Sequence, residues 1–429
     1  MKNYLLMAML VVLALSCETP ETKSTTDEKN EYPEGFPYGN VPRQKPNTPM
    51  SAAFNRIYDG TYTGLEVQSN ELFSTFKYTP LKGFDYRNGD ATISRRDASK
   101  VIKANGKYYV WYTHRDTPTP PDAYNGNDTI PSRDWDLSEI WYATSNDGFT
   151  WEEQGVAVPR LEKPNAGWRS VSTADILVFK GKYYLYYQAY TEMPGKPGSG
   201  RGDYCPVAAS VADSPDGPWT PANKVVIENG AEGTWDQFVI HDPYPLLYKG
   251  KIYLYYKGEM GGDPRVRAQG LAIGDDPFGP FEKHPLNPVI NSGHETALFP
   301  FKEGLAAIVS RHGLEHNTIQ YAPDGVNFEV ASISSLLPIA PGAHVPDAFL
   351  DNGNGRGITW GLCHFRDVLK KGGASQSYSM LARFDCDLSL DIDDQEMKDS
   401  DIFNHPEINF KFGLSEKQKE RIMGEINNR

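Results

Sequence analysis

Five times along the chain an apolar stretch, a tight glycine turn and a second stretch rich in aromatic and β-branched residues follow one another. The copies are 100–112 (KVIKANGKYYVWY), 176–187 (ILVFKGKYYLYY), 245–256 (PLLYKGKIYLYY), 298–310 (LFPFKEGLAAIVS) and 348–361 (AFLDNGNGRGITWG). Each predicts a β-hairpin turning at Gly106, Gly181, Gly250, Gly304 or Gly355. After the first four copies comes a third strand and a turn that ends on an aromatic: 140–151 (IWYATSNDGFTW), 207–219 (VAASVADSPDGPW), 271–281 (LAIGDDPFGPF) and 319–328 (IQYAPDGVNF). That aromatic is expected to plug between neighbouring sheets. The fifth unit ends at 378–388 (YSMLARFDCDL) without such a turn.

A sheet of this kind has two apolar faces and cannot bury both alone, so the copies must stack. The expected fold is all-β, a five-bladed β-propeller over 76–395, with helical segments at both ends. The N-terminal segment, 39–75, contains a short helix with Thr48 as N-cap, Pro49 in its first turn and an apolar stripe of Met50, Phe54, Ile57 and Tyr58 before Gly60. In the C-terminal segment, 396–429, Ser415 and Gln418 form a capping box ahead of Ile422, Met423 and Ile426. Either stripe would cover the propeller or meet a second subunit.

The first 17 residues, MKNYLLMAMLVVLALSC, read as a secretory leader of lipoprotein type, with Cys17 as the lipidated end; a plain cleaved signal is the alternative. The polar stretch 18–38 is a tether. Export to the periplasm or the outer membrane follows. Cys205, Cys363 and Cys386 have no metal-ligand spacing and are expected as buried thiols. The net charge of −13 speaks against nucleic acid as a partner.

An acidic residue stands near the first strand of every copy: Asp97, Asp175, Asp242, Glu295 and Asp347. In a propeller these positions converge on one channel mouth, where crowding and burial separate carboxyl pKa values into acid and base roles. Asp97 in SerArgArgAsp, Asp242 in HisAspPro and Glu295 in GlyHisGlu rank above Asp175 and Asp347. A carboxyl pair is what glycosidic cleavage requires. Thr173 beside Asp175, and Arg115, Gln188, Lys257, Glu259, His312 and His364 after the aromatic runs, are candidates to bind the sugar, with His114 and Arg311 in similar positions.

The fivefold pattern with the ArgArgAsp of Asp97, the HisAsp of Asp242 and the GlyHisGlu of Glu295 resembles glycoside hydrolase family 117, the α-1,3-neoagarooligosaccharide (neoagarobiose) hydrolases. The resemblance implies removal of terminal 3,6-anhydro-L-galactose from agar fragments with inversion. It casts Asp97 as the base, Asp242 as stabiliser of the cationic transition state and His294 as the acid tuned by Glu295. Glu295 as direct acid is the rival assignment. A homodimer exchanging N-terminal helices is also implied. Some members carry a divalent cation near the site, for which the sequence shows no ligand cluster. Two other readings stay open: a propeller glycosidase of arabinofuranosidase or xylosidase type, and a non-catalytic, lipid-anchored glycan-binding propeller.

Overall fold

In the computed structural model the first strand in sequence is part of the last sheet. The residues described are 44–59, 70–194, 205–231, 233–237, 239–259, 267–334, 336–368, 377–399 and 416–427; the leader, the tether, Gly60 and Ser415 lie outside them. All described residues fall in one unit, Glu34–Arg429.

Helix α1 (Ala52–Asp59) and strand β1 (Lys77–Pro80) precede the first full sheet. That sheet holds β2 (Ile93–Arg96), β3 (Ile102–Ala104), β4 (Lys107–Asp116), β5 (Glu139–Ser145) and β6 (Trp151–Val158). The second holds β7 (Ser170–Phe179), β8 (Lys182–Tyr190), β9 (Val207–Ala212) and β10 (Thr220–Ile227). The third holds β11 (Val239–Tyr248), β12 (Lys251–Glu259), β13 (Ala268–Gly274) and β14 (Glu282–Lys283). In the fourth unit come β15 (His294–Lys302), β16 (Gly304–Arg311), β17 (Thr318–Ala322) and β18 (Glu329–Ile333), and in the fifth β19 (Gly342–Ala343), β20 (Gly355–Val368) and β21 (Ser377–Ser389). Helix α2 (Glu416–Asn427) is the last element.

All these pairings are antiparallel, as hairpin connections require. The protein is all-β with few helices. Two features depart from independent four-stranded sheets. Phe301 and Lys302 pair with Arg356 and Gly355, which merges the fourth and fifth units into one eight-stranded sheet. The missing outer strand of the fifth unit is supplied by β1, whose Lys77 faces Asp385 and whose Pro80 faces Ala382. That explains why the last unit carries no fourth-strand turn of its own.

The fifth repeat starts earlier than its pattern indicates. Residues 347–350 form a turn, and the first strand is β19, upstream of it. Gly342 in β19 lies so close to the backbone of Ser99 that a Cβ there would stand 2.2 Å from its carbonyl oxygen. A strand built around so close an approach lacks the apolar signature that marked the other four.

Aromatic plugs hold neighbouring units together as expected. Trp219 meets Trp111 edge-on at 5.7 Å, Phe281 meets Tyr186 at 6.2 Å and Phe328 meets Tyr255 at 6.1 Å. Trp151 shares a buried cluster with Trp360, Leu362 and Leu381 of the fifth unit. Contacts between strands run from β4 to β7, β7 to β11, β11 to β15, β15 to β20, and from β20 and β21 to β2. Cys205, Cys363 and Cys386 are buried.

The N-terminal helix is capped three residues later than its sequence suggests. Ser51, not Thr48, accepts from the Phe54 amide at 3.4 Å, and its hydroxyl donates to the Pro288 carbonyl at 2.6 Å. The Thr48 hydroxyl is buried without a partner. Phe54 is fully buried with Leu254, Tyr256 and Ala272, so the apolar stripe packs on the third sheet. In α2, Ile422 is buried and Met423 faces out. Phe54→Ala should cost about 3–5 kcal/mol by removing a buried ring from a site that cannot collapse; urea unfolding measures it.

Candidate active site

The inner strands share a backbone feature that pattern reading cannot see. Asp97, Thr173, Asp242, Glu295 and Ala340 have φ of 52°, 48°, 50°, 60° and 47°. None is glycine, and such left-handed backbone in non-glycine residues gathers at functional sites. In β7 and β11 it coincides with a register shift, between Ser172 and Asp175 and between His241 and Tyr244. The turn directs backbone N–H groups toward side chains of adjoining units. Thr173 donates to Thr113 Oγ1 at 2.7 Å, Glu295 to Asp242 Oδ2 at 3.2 Å and Asp97 to His364 Nδ1 at 3.2 Å.

The equivalent positions are therefore three acids, a threonine and an alanine, rather than five acids. Asp175 lies beyond the register shift and points elsewhere. It forms a buried ion pair with Lys100, accepts from the Lys100 amide at 2.7 Å, and sits outside the main cleft. The Lys100 ammonium in turn lies 3.8 Å from the centre of the Tyr244 ring. Asp347 accepts from the Arg356 amide at 2.7 Å and borders a separate depression beside 351–355. Arg115 is fully buried and clamps the carbonyls of Ala91, Thr92 and Asp134. His114 stacks on Trp141, 4.1 Å between centroids. These four hold the structure and do not face the cleft.

The cleft itself has a volume of about 190 Å³ and opens to solvent. Asp97, Thr173, Gln188, Asp242, Lys257, Glu259, His294 and His312 line it, together with Arg96, Trp135, Tyr190, His241 and Arg267. Glu295 and Asp175 border a smaller cavity shared with Asp97 and Asp242. Gln188 donates to Asp242 Oδ1 at 3.3 Å, and Glu259 accepts from Arg267 at 3.0 Å. His364 is buried against Asp97.

Arg96 organises the charges. Its guanidinium lies 2.8 Å from Asp97, 3.4 Å from Asp134 and 3.7 Å from Glu295. Burial pushes the Asp97 carboxyl up, but the Arg96 guanidinium outweighs burial, aided by hydrogen bonds from Arg96 and Thr173, and holds it below the usual carboxylate value. Arg95, its neighbour, faces the other way and pairs with Glu153 at 2.6 Å, because successive residues of a strand alternate faces. Burial raises Asp242 to about 6, with Asp97 adding to the effect. Glu295 rises to about 7, again chiefly by burial, although Arg311 and Arg96 oppose the rise. Its Oε1 is buried without a hydrogen bond. Burial, then Lys257, pushes His294 well below its ordinary value. The site thus combines an ionised carboxylate with a carboxyl that keeps its proton near neutrality.

Asp97, Glu295 and His364 bring ligand atoms within 4.8 Å of one another, a cluster no sequence spacing announced. A divalent cation does not fit it. The Arg96 and Arg311 guanidinium groups already face these carboxyls, and the His364 Nδ1 lone pair accepts the Asp97 N–H.

Thr113, Trp135, Tyr190 and Arg267 escaped sequence reading. Thr113 had a signal: it follows its aromatic run as Gln188, Lys257, Arg311 and His364 follow theirs. Trp135, 5.0 Å from Arg96, comes from the long connection between β4 and β5.

Paired carboxyls with divergent proton affinities in an open cleft on an all-β scaffold define a glycoside hydrolase. Comparison with known proteins agrees. The chain is similar to Zg3597, a family 117 glycoside hydrolase of the marine bacterium Zobellia galactanivorans, with 59% identity over 81% of this chain and 100% of that one and a TM-score of 0.73. This protein belongs to glycoside hydrolase family 117, and it hydrolyses glycosidic bonds. Its fold is also similar to that of BT0996 in an RGII complex and to a protein described as a glycoside hydrolase. Each is 13% identical, covering 73% of this chain and 92% of the other, at a TM-score of 0.50. No family model matches, and no curated protein matches.

Arg96→Met should raise the Asp97 carboxyl through loss of the adjacent cation, while Arg115 keeps Asp134 paired. Carboxyl ¹³C titration of the two proteins reads the difference directly.

Proposed function

We propose that the protein is an exo-acting hydrolase that removes terminal α-1,3-linked 3,6-anhydro-L-galactose from neoagarooligosaccharides with inversion. The observation that carries the mechanism is the contrast between Asp97, held ionised by Arg96, and Glu295, lifted to about 7. Asp97 takes a proton from water as the water attacks the anomeric carbon, and the leaving oxygen is protonated from the Glu295 and His294 side of the cleft. Asp242, between them, stabilises the positive charge that develops on the sugar ring. Glu295 is the proton reservoir in this reading, since His294 is held neutral. Thr173, Gln188, Lys257, Glu259 and His312 bind sugar hydroxyls.

The substrate is carried over from family likeness. The same reading includes a five-bladed propeller, supported by the unbroken run of contacts from the first unit to the fifth. It also includes export behind a lipoprotein leader and the homodimer of the family. Such a dimer would join through the N-terminal helical segment.

Incubation with neoagarobiose and a panel of aryl glycosides tests the substrate. Release of anhydrogalactose is the expected result, and arabinose or xylose release instead would replace the assignment. Asp97→Asn and Glu295→Gln should each lower kcat by at least roughly 100-fold, the scale of general acid or base loss, with circular dichroism unchanged. Asp242 must be ionised and Glu295 protonated, so kcat/KM should rise as pH passes about 6 and fall as it passes about 7. A rate that keeps climbing to pH 9 would remove Glu295 from the acid role.

A further inference from the structure

His294 opens β15, and His312 directly follows β16, its hairpin partner. Their Nδ1 atoms lie 2.7 Å apart. The rings are 19° from parallel with centroids 4.7 Å apart. That separation is too wide for face-to-face stacking at so short a nitrogen contact, so the rings lie edge to edge, nearly in one plane. An in-plane lone pair then faces an in-plane N–H. Two lone pairs would repel at this distance, and so would two N–H groups; one ring donates and the other accepts.

Burial keeps both imidazoles neutral, aided by Lys257 and Arg311. Two neutral rings carry two ring protons. One lies between the Nδ1 atoms, and the other must sit on Nε2 of the accepting ring. His294 Nε2 lies 3.6 Å from Glu295 Oε1, the carboxyl oxygen with no hydrogen bond. Which ring donates therefore decides whether His294 offers that oxygen a proton or a lone pair.

We propose that His312 is a positioning residue that sets the tautomer of His294 through a shared Nδ1–Nδ1 proton, so that the acid side of the cleft is a coupled Glu295–His294–His312 chain. Its catalytic consequence rests on the proposed hydrolase function, but the tautomer itself does not. His312 controls His294 as the orienting partner of a ligand or general-acid histidine does, by occupying one ring nitrogen and defining the other.

Long-range ¹H–¹⁵N spectra of protein labelled at histidine nitrogen test this at neutral pH without substrate. The expected result is one protonated and one bare Nδ1, with a ¹⁵N–¹⁵N coupling across the hydrogen bond. In His312→Ala the His294 nitrogen shifts should move and the coupling vanish; His312→Gln, which keeps a donor and an acceptor, should restore part of the His294 shift. Bare Nδ1 atoms on both rings, or His294 shifts unmoved in His312→Ala, would overturn the proposal. On neoagarobiose, His312→Ala should lower kcat by roughly 10- to 100-fold, less than loss of a general acid itself. Wild-type inactivity on neoagarobiose would overturn the substrate assignment, and the spectra would still decide the pairing.

Discussion

A single guanidinium, buried among carboxyl groups it cannot all neutralise, sets the terms of the site. Arg96 is shared by Asp97, Asp134 and Glu295, and Arg115 assists at Asp134. Burying a charge is tolerable only with a close opposite charge. Asp97, nearest to Arg96, stays ionised. Glu295, farthest away, resolves its desolvation by holding a proton. Burial and closeness to Arg96 together thus sort chemically similar groups into opposite roles.

The backbone makes this sorting possible. At each inner strand one residue is turned into the left-handed region, a conformation that costs energy for any residue other than glycine. Thr173, Glu295 and Asp97 recover part of that cost by donating N–H groups across unit boundaries. The hydrogen bonds that hold the strained residues in place are therefore the same ones that tie neighbouring sheets together around the cleft. The geometry of the acids belongs to the assembled set of units, not to any one of them.

The repeat hairpins, the aromatic plugs and the acids Asp97, Asp242 and Glu295 were legible in the sequence because alternating burial and turn chemistry are local. What stayed hidden was set by register. A single extra residue between Ser172 and Asp175 sends Asp175 away from the cleft and leaves Thr173 in its place. The two-residue strand β19 gave no hydrophobic signal, so Asp347 was assigned a position that Ala340 occupies. Arg115 looked like its neighbours on the chain, yet carbonyls from a distant loop claim its guanidinium. Trp135 lies on the long connection between β4 and β5, outside the repeat. The pairing of His294 with His312 depends on two ring orientations, and spacing does not encode those.

Strand β1 gives the assembly a temporal order. Its partners, Ala382 to Asp385, lie some three hundred residues downstream. At roughly 5–20 residues per second of synthesis, β1 waits on the order of tens of seconds for its partner. Until then β1 is without its partner strand, and its unpaired amides and carbonyls stay available to other chains. The join between first and last strands is the strand pairing of highest sequence separation among the described residues, and such contacts slow folding most. A polypeptide cut short before its final hairpin would retain most of its sheets, yet leave β1 with nothing to close against.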